Sequence, residues 1–132
     1  MAAEGATLLI ADDEPLNVDL LRQELGTAGY RTLSAASGEE ALRLAQKEQP
    51  DLVLLDVMMP GIDGYDVLKV IRSQEGDPLP VLMLTASADP GSAARGWVDG
   101  VDYYLAKPFT PDVVLDIVDS VCGQRIPTTD GA

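Results

Sequence analysis

The stretch LVLLD, residues 52–56, places four consecutive apolar residues in front of a single carboxylate. An apolar run of this length, without polar residues alternating in it, is typical of a strand whose two faces are both buried in a parallel sheet. We therefore predict a strand over residues 52–55, with Asp56 following at its carboxyl end. Comparable short runs predict four further strands, over residues 7–11, 31–35, 81–84 and 102–105.

The segments between these strands are long enough for helices. Pro15 begins the first segment and Gly29 ends it, and apolar residues recur between them at helical intervals, at Val18, Leu21 and Leu25. The helices are predicted to begin at or just after Pro15, Ser37, Gly64, Asp89 and Thr110. We expect the fourth helix to be short or mobile, because each glycine in a helix interior costs about 1 kcal/mol and this segment contains Gly91, Gly96 and Gly100.

Five strands alternating with five helices define an α/β fold. Right-handed crossovers between parallel strands cover both faces of the sheet, which gives a three-layer (βα)5 architecture. The doubly wound, flavodoxin-like order for a chain of this length is 2-1-3-4-5, and it places ligands beyond the carboxyl ends of strands 1 and 3. Residues 1–123 are predicted to form this single domain, and residues 124–132 a flexible C-terminal tail or the start of a linker.

The composition excludes several classes of function. With 46% apolar residues the chain can bury a core, although its formal net charge is −13. It has no histidine and one cysteine, which excludes Ser/His/Asp and Cys/His nucleophiles and fits a reducing, cytoplasmic location. The excess of acidic residues gives the domain a negative electrostatic field, which repels the phosphates of nucleic acid and so opposes direct binding. The longest wholly apolar runs are far shorter than the roughly 20 residues that span a membrane, so no membrane association is expected.

Polar residues stand at the carboxyl ends of four predicted strands. In the 2-1-3-4-5 order, strands 1 and 3 are neighbours, so carboxylates that are distant in sequence meet at one edge of the sheet. Like charges at close range are costly without a cation, and oxygen ligands of this kind suit Mg²⁺, which commonly binds beside phosphate oxygens. The residues predicted to meet there are Asp12, Asp13, Asp56, Thr85 and Lys107.

Four motifs in these positions resemble those of a known family. They are ADDEP at 11–15, LLDVMMPGIDG at 54–64, LTA at 84–86 and YLAKPF at 104–109. Together they resemble the receiver domain of two-component response regulators, of the chemotaxis-regulator type. The resemblance covers roughly residues 6–122 of the sequence. It implies a role in phosphorelay signal transduction, as a receiver that accepts a phosphoryl group from a histidine kinase and changes conformation.

The resemblance also implies a role for each matching residue. Asp56 would be the phosphoacceptor and become an aspartyl phosphate, with Lys107 and Thr85 contacting phosphoryl oxygens. Thr85 and Tyr104 would move together as the conformational switch. The resemblance implies Mg²⁺ as the cofactor, bound directly by Asp13 and Asp56, through water by Asp12, and by the backbone carbonyl of Met58.

The expected partners follow from the same resemblance. The donor would be a sensor histidine kinase or a phosphotransfer protein, and the output partner or effector domain would bind the face formed by helix 4, strand 5 and helix 5. A dimer could form on phosphorylation. Such a domain is not an enzyme in the ordinary sense, since it catalyses its own phosphorylation and slow dephosphorylation. Whether it stands alone or begins a longer regulator is left open, and the departure from the family pattern between Pro90 and Asp102 leaves partner choice open as well.

Three other classes of protein fit these residues less well. A haloacid-dehalogenase-like phosphatase needs an acid two residues after its nucleophile, where this chain has Met58. A flavodoxin-like cofactor binder would offer hydroxyls and amides to a phosphate in its first loop, where this chain has carboxylates. A receiver-like domain that is never phosphorylated is disfavoured by the complete acidic set, and binding of beryllofluoride with Mg²⁺ discriminates between these possibilities.

Overall fold

A computed structural model describes residues 6–57, 64–73, 79–85, 103–106 and 110–125. Its strands are β1 (Thr7–Ala11), β2 (Arg31–Ala35), β3 (Leu52–Asp56), β4 (Val81–Thr85) and β5 (Tyr103–Ala106). Its helices are α1 (Pro15–Thr27), α2 (Gly38–Glu48), α3 (Gly64–Ser73) and a C-terminal helix (Pro111–Arg125). The helix predicted to begin at Asp89 lies outside the described residues.

Within the described part of the chain, the five strands form one parallel sheet in the order β2-β1-β3-β4-β5. This order confirms the doubly wound fold that the sequence predicts. It also makes β1 and β3 neighbours, with Ala11 in register with Leu55. The carboxyl ends of these two strands therefore open at the same edge of the sheet.

Alternate residues of the strands divide the core into two layers. One face of the sheet packs on α2 and α3 through residues such as Leu9, Leu55 and Met83. The other face packs on α1 and the C-terminal helix through residues such as Ile10 and Leu54. Because both faces are covered, residues 8–11 of β1, 52–55 of β3 and 81–84 of β4 are all apolar, which explains the continuous apolar run that precedes Asp56.

The ends of the elements follow from local chemistry. Ser37 accepts a hydrogen bond from the backbone N–H of Glu40 at 3.2 Å and so caps α2, as predicted. Gly29 ends the α1 segment with a φ of 104°, a left-handed conformation that glycine adopts without strain. The C-terminal helix runs to Arg125, so the first two residues of the predicted tail are helical, and the domain boundary itself stays a prediction.

Three strands differ from the sequence prediction in their bounds by one residue. β3 and β4 each include the polar residue that follows the apolar run, and the described part of β5 is Tyr103–Ala106, where the prediction was 102–105. The backbone continues to pair past the apolar residues because main-chain hydrogen bonds do not depend on side-chain polarity. The N–H of Val57 still donates to the carbonyl of Leu84 at 3.0 Å.

One long-range hydrogen bond ties the C-terminal helix to the rest of the fold. Tyr30 lies between α1 and β2, is 4% exposed, and donates its hydroxyl hydrogen to the carboxylate of Asp119. Burial, together with this hydrogen bond, raises the pKa of Tyr30 above its ordinary value.

None of the helices in the described part of the chain combines the length and the hydropathy that a membrane-spanning helix needs.

Candidate functional site

The candidate site lies where β1 and β3 end. Asp12 follows the last residue of β1, and its N–H donates to the carbonyl of Ala35 in β2 at 3.0 Å. Asp56 is the last residue of β3 and is in register with Leu84 of β4. Main-chain hydrogen bonds to neighbouring strands thus hold the backbone of both acidic residues, so their side chains start from fixed positions.

Three carboxylates meet at this point, as the sequence predicts. One oxygen from each of Asp12, Asp13 and Asp56 lies within 4.8 Å of the others. Asp12 and Asp56 are 2% and 4% exposed, whereas Asp13 is open to solvent. Burial removes the water that would screen the mutual repulsion of these charges, so the arrangement favours a bound cation.

The donor set fits Mg²⁺. Magnesium prefers carboxylate oxygens, binds through one or two of them and keeps several waters. Two buried carboxylates beside one exposed carboxylate offer such ligands with one side open to solvent. Of the predicted site residues, Asp12, Asp13 and Asp56 come together in the structure.

The carboxylate of Asp12 is held by hydrogen bonds from the start of α1. Its Oδ1 accepts the backbone N–H of Glu14 at 2.9 Å. Its Oδ2 accepts the side-chain amide of Asn17 at 3.4 Å, and the same Nδ2 lies 3.1 Å from Oε1 of Glu14. Both oxygens of Asp12 are therefore contacted by donors from the segment that leads into α1.

Gly64 packs directly against the backbone that carries Asp56. A Cβ atom at Gly64 would lie 2.5 Å from the carbonyl oxygen of Asp56 and 2.8 Å from Cα of Val57. The N–H of Gly64 also donates to the carbonyl of Val57 at 2.8 Å. Only glycine permits this approach, so the start of α3 is pinned to the end of β3.

The predicted switch residues lie on the neighbouring strands. Thr85 is the last residue of β4 and is in register with Ala106 of β5. Tyr104 lies in β5 on the α3 side of the sheet, where its hydroxyl hydrogen-bonds to that of Tyr65. Tyr65 is 3% exposed and directly follows Gly64, so this contact links β5 to the backbone beside Asp56.

The predicted roles of Met58 and Lys107 fall on residues outside the described part of the chain. Sequence reasoning did not single out Asn17 or Tyr65 as site residues. The position of Asn17 in the first turn of a helix that begins at Pro15 was a usable signal, because side chains there reach back to the preceding loop. The contact of Tyr65 with Tyr104 spans 39 residues and has no local signal in the sequence.

The protein is thus a doubly wound α/β protein with an acidic cluster at the switch point of its sheet. Comparison with known proteins identifies its family. Residues 8–119 match the model of the response regulator receiver domain. The chain belongs to this family.

Three similar proteins illustrate the match. PhoP, the alkaline phosphatase synthesis transcriptional regulatory protein of Bacillus subtilis, is 44% identical over 104 residues, which are 79% of this chain and 43% of PhoP. The chain thus spans less than half the length of this curated relative. The chemotaxis protein CheY4 of Vibrio cholerae is 35% identical with a TM-score of 0.83, and the alignment covers 89% of this chain and 98% of CheY4.

The third similar protein bears on the metal. The receiver domain of the sensor histidine kinase PA1611 from Pseudomonas aeruginosa is 34% identical with a TM-score of 0.82, and the alignment covers 90% of this chain and 98% of that domain. Its structure has a magnesium ion coordinated in the active-site cleft.

Proposed function

We propose that the chain is a phosphorelay receiver in which Asp56 accepts a phosphoryl group in a Mg²⁺-dependent reaction. The observation that carries this proposal is the meeting of Asp12, Asp13 and Asp56 within 4.8 Å at the edge of the sheet. Membership of the receiver family and the magnesium ion in the PA1611 domain support the same assignment. The donor would be a sensor histidine kinase or a phosphotransfer protein.

In the proposed reaction, a carboxylate oxygen of Asp56 attacks the phosphorus atom of a phosphohistidine. The new P–O bond forms as the P–N bond breaks, and the electron pair of the P–N bond stays on the ring nitrogen. The donor imidazole, protonated on its other nitrogen, leaves as the neutral ring. Phosphoryl transfer depends mostly on positioning and on neutralising charge. Asp56 is suited to this because the sheet fixes its backbone and its burial limits the positions of its side chain.

We assign the metal ligands as the family resemblance implies. Asp13 and Asp56 would hold Mg²⁺ directly, Asp12 through water, and Met58 through its backbone carbonyl. When bound, the ion supplies positive charge that offsets the negative charge of the phosphoryl oxygens. Lys107 would contact a phosphoryl oxygen, and Thr85 would contact another and move together with Tyr104.

The remaining assignments are also proposals. The domain would catalyse only its own phosphorylation and slow dephosphorylation, and we propose a cytoplasmic location, which is typical of response regulators. An output partner or effector domain would respond to the switch at Thr85 and Tyr104 through the face that includes β5 and the C-terminal helix, and phosphorylation could produce a dimer.

The test of the proposal is the binding of beryllofluoride, a phosphoryl mimic, in the presence of Mg²⁺. We expect the backbone amide resonances of Asp56 and Thr85 in NMR spectra to shift on addition of both ions together. Asp56→Asn should abolish the shifts, whereas Asp116→Asn, at an exposed position of the C-terminal helix, should leave them unchanged. Wild-type spectra without any shift at saturating beryllofluoride and Mg²⁺ would contradict the proposal.

A further inference from the structure

Asn17 occupies a place between two carboxylates that the receiver assignment does not explain. Its Nδ2 lies 3.4 Å from Oδ2 of Asp12 and 3.1 Å from Oε1 of Glu14. An asparagine amide has two N–H donors, so one side chain can serve both carboxylates. Asn17 thereby connects a buried member of the acidic cluster to an exposed carboxylate in the same loop.

The orientation of Asp12 depends on such contacts. The χ2 torsion of aspartate is broad, so its rotamer alone does not fix the plane of the carboxylate. The N–H of Glu14 holds Oδ1 at 2.9 Å, and the amide of Asn17 holds Oδ2. With a donor on each oxygen, the plane of the carboxylate is set before a cation binds.

The charge of the donor also matters. Asn17 is neutral, so it orients Asp12 without competing with the cation for the carboxylate. A lysine or arginine at this position would compete, because its own charge is positive. It offers partial positive charge to Asp12 and Glu14, whose negative charges would otherwise repel each other in the same loop.

From this geometry we infer that Asn17 is a positioning residue for the magnesium site, which orients Asp12 and keeps Glu14 beside the cluster. The inference rests on the proposed function, since it takes the acidic cluster to be the metal site. Groups that orient metal ligands typically change metal affinity by 10- to 100-fold when removed. Because the contact to Asp12 is long and partly exposed, we expect the lower end of that range, about tenfold.

A purely structural role makes a different prediction. Asn17 lies in the first turn of α1, and Glu14 is the N-cap residue of that helix. If the amide only stabilised the start of the helix, its removal would lower the free energy of unfolding and leave Mg²⁺ affinity unchanged. Asn17→Leu separates the two roles, because leucine keeps the branched shape, removes both donors and has the higher helix propensity.

The sequence provides an unusually direct probe. Asn17 is the only asparagine in the chain, so selective ¹⁵N labelling of asparagine side chains gives one NH₂ pair in the NMR spectrum. We expect this pair to shift as MgCl₂ is added to the wild-type chain of 132 residues, with the same midpoint as the backbone amide of Asp13. Asn17→Leu should raise the dissociation constant for Mg²⁺ about tenfold. Stability in the absence of metal should not fall, because the higher helix propensity of leucine offsets the lost amide contacts.

The control is Gln23→Ala, which removes an exposed amide farther along α1 and should leave the Mg²⁺ affinity unchanged. Two results would overturn the role of Asn17 without contradicting the metal site. One is a dissociation constant for Asn17→Leu within twofold of the wild-type value, and the other is an NH₂ pair whose resonances do not shift at saturating Mg²⁺. Failure of the wild-type chain to bind Mg²⁺ at millimolar concentrations would overturn both this role and the proposed metal site.

Discussion

Adding one methyl group at Gly64 should damage the fold and the candidate site together. In Gly64→Ala, the new Cβ would lie 2.5 Å from the carbonyl oxygen of Asp56 and 2.8 Å from Cα of Val57. Both distances are far below ordinary nonbonded contacts, and both of these atoms belong to the backbone, which cannot rotate away as a side chain could. The start of α3 must therefore move away from the end of β3.

Overpacking of this kind costs about 1–3 kcal/mol, and we expect about 2 kcal/mol because two backbone atoms are involved. With a urea dependence of about 2 kcal/mol per molar, the midpoint of unfolding should fall by about 1 M. The displaced carbonyl belongs to Asp56 itself, so Mg²⁺ affinity should fall as well. Equilibrium urea unfolding followed by circular dichroism, together with a Mg²⁺ titration, measures both effects.

Gly26→Ala is the matched control, because it makes the same chemical change in α1. A Cβ at Gly26 meets nothing within 4 Å, so alanine should stabilise the helix by about 0.5–1 kcal/mol, mainly by restricting the unfolded chain. The two variants should therefore shift the midpoint in opposite directions. If Gly64→Ala is as stable as the wild type, the close packing of α3 on the Asp56 backbone is wrong.

Three further sets of variants test other features of the structure. Asp13→Ala should abolish Mg²⁺ binding at millimolar metal. It should also raise the free energy of unfolding without metal by about 1 kcal/mol, as measured by urea unfolding, because it relieves repulsion among the three carboxylates. A variant no more stable than the wild type would contradict this repulsion. Tyr65→Phe, Tyr104→Phe and the double variant should give a coupling energy of about 1 kcal/mol in a double-mutant cycle, and additive effects would refute the hydroxyl contact. Because the pKa of Tyr30 is raised in the folded state, its contribution to stability is fully present below the unfolded pKa of about 10 and is lost as the pH rises above it. In urea unfolding, Tyr30→Phe should therefore lose less stability than the wild type between about pH 10 and 12. Equal losses in the two proteins would show that Tyr30 does not contribute to the pH dependence of stability.

The sheet and its acidic edge could be predicted because they depend on patterns within short segments. A buried strand needs a continuous apolar run, and the order of parallel strands brings Asp12, Asp13 and Asp56 together whatever the loops do. The exact end of β3 could not be read from the same pattern. The apolar run stops at Leu55, but the main chain of Asp56 still pairs with that of β4.

The polar contacts around the site depend on side-chain geometry, which periodicity does not encode. The pattern places Tyr65 in the buried face of a helix, but it does not indicate that its hydroxyl meets Tyr104. Similarly, Tyr30 and Asp119 are 89 residues apart and meet only after α1 and the C-terminal helix pack on the same face of the sheet. Asn17 was closer to prediction, since its partners Asp12 and Glu14 lie within five residues of it.

The assignment of Asp56 as phosphoacceptor is tested most directly by labelling the full chain with acetyl phosphate and locating the modification by mass spectrometry. With Mg²⁺ present, we predict one phosphoryl group per chain, on Asp56, which is released by hydroxylamine as expected of an acyl phosphate and is absent when the metal is chelated. Asp116→Asn should be labelled like the wild type, and Asp56→Asn should not be labelled. Uptake of one hydroxylamine-sensitive phosphoryl group by Asp56→Asn, or none by the wild type, would contradict the account.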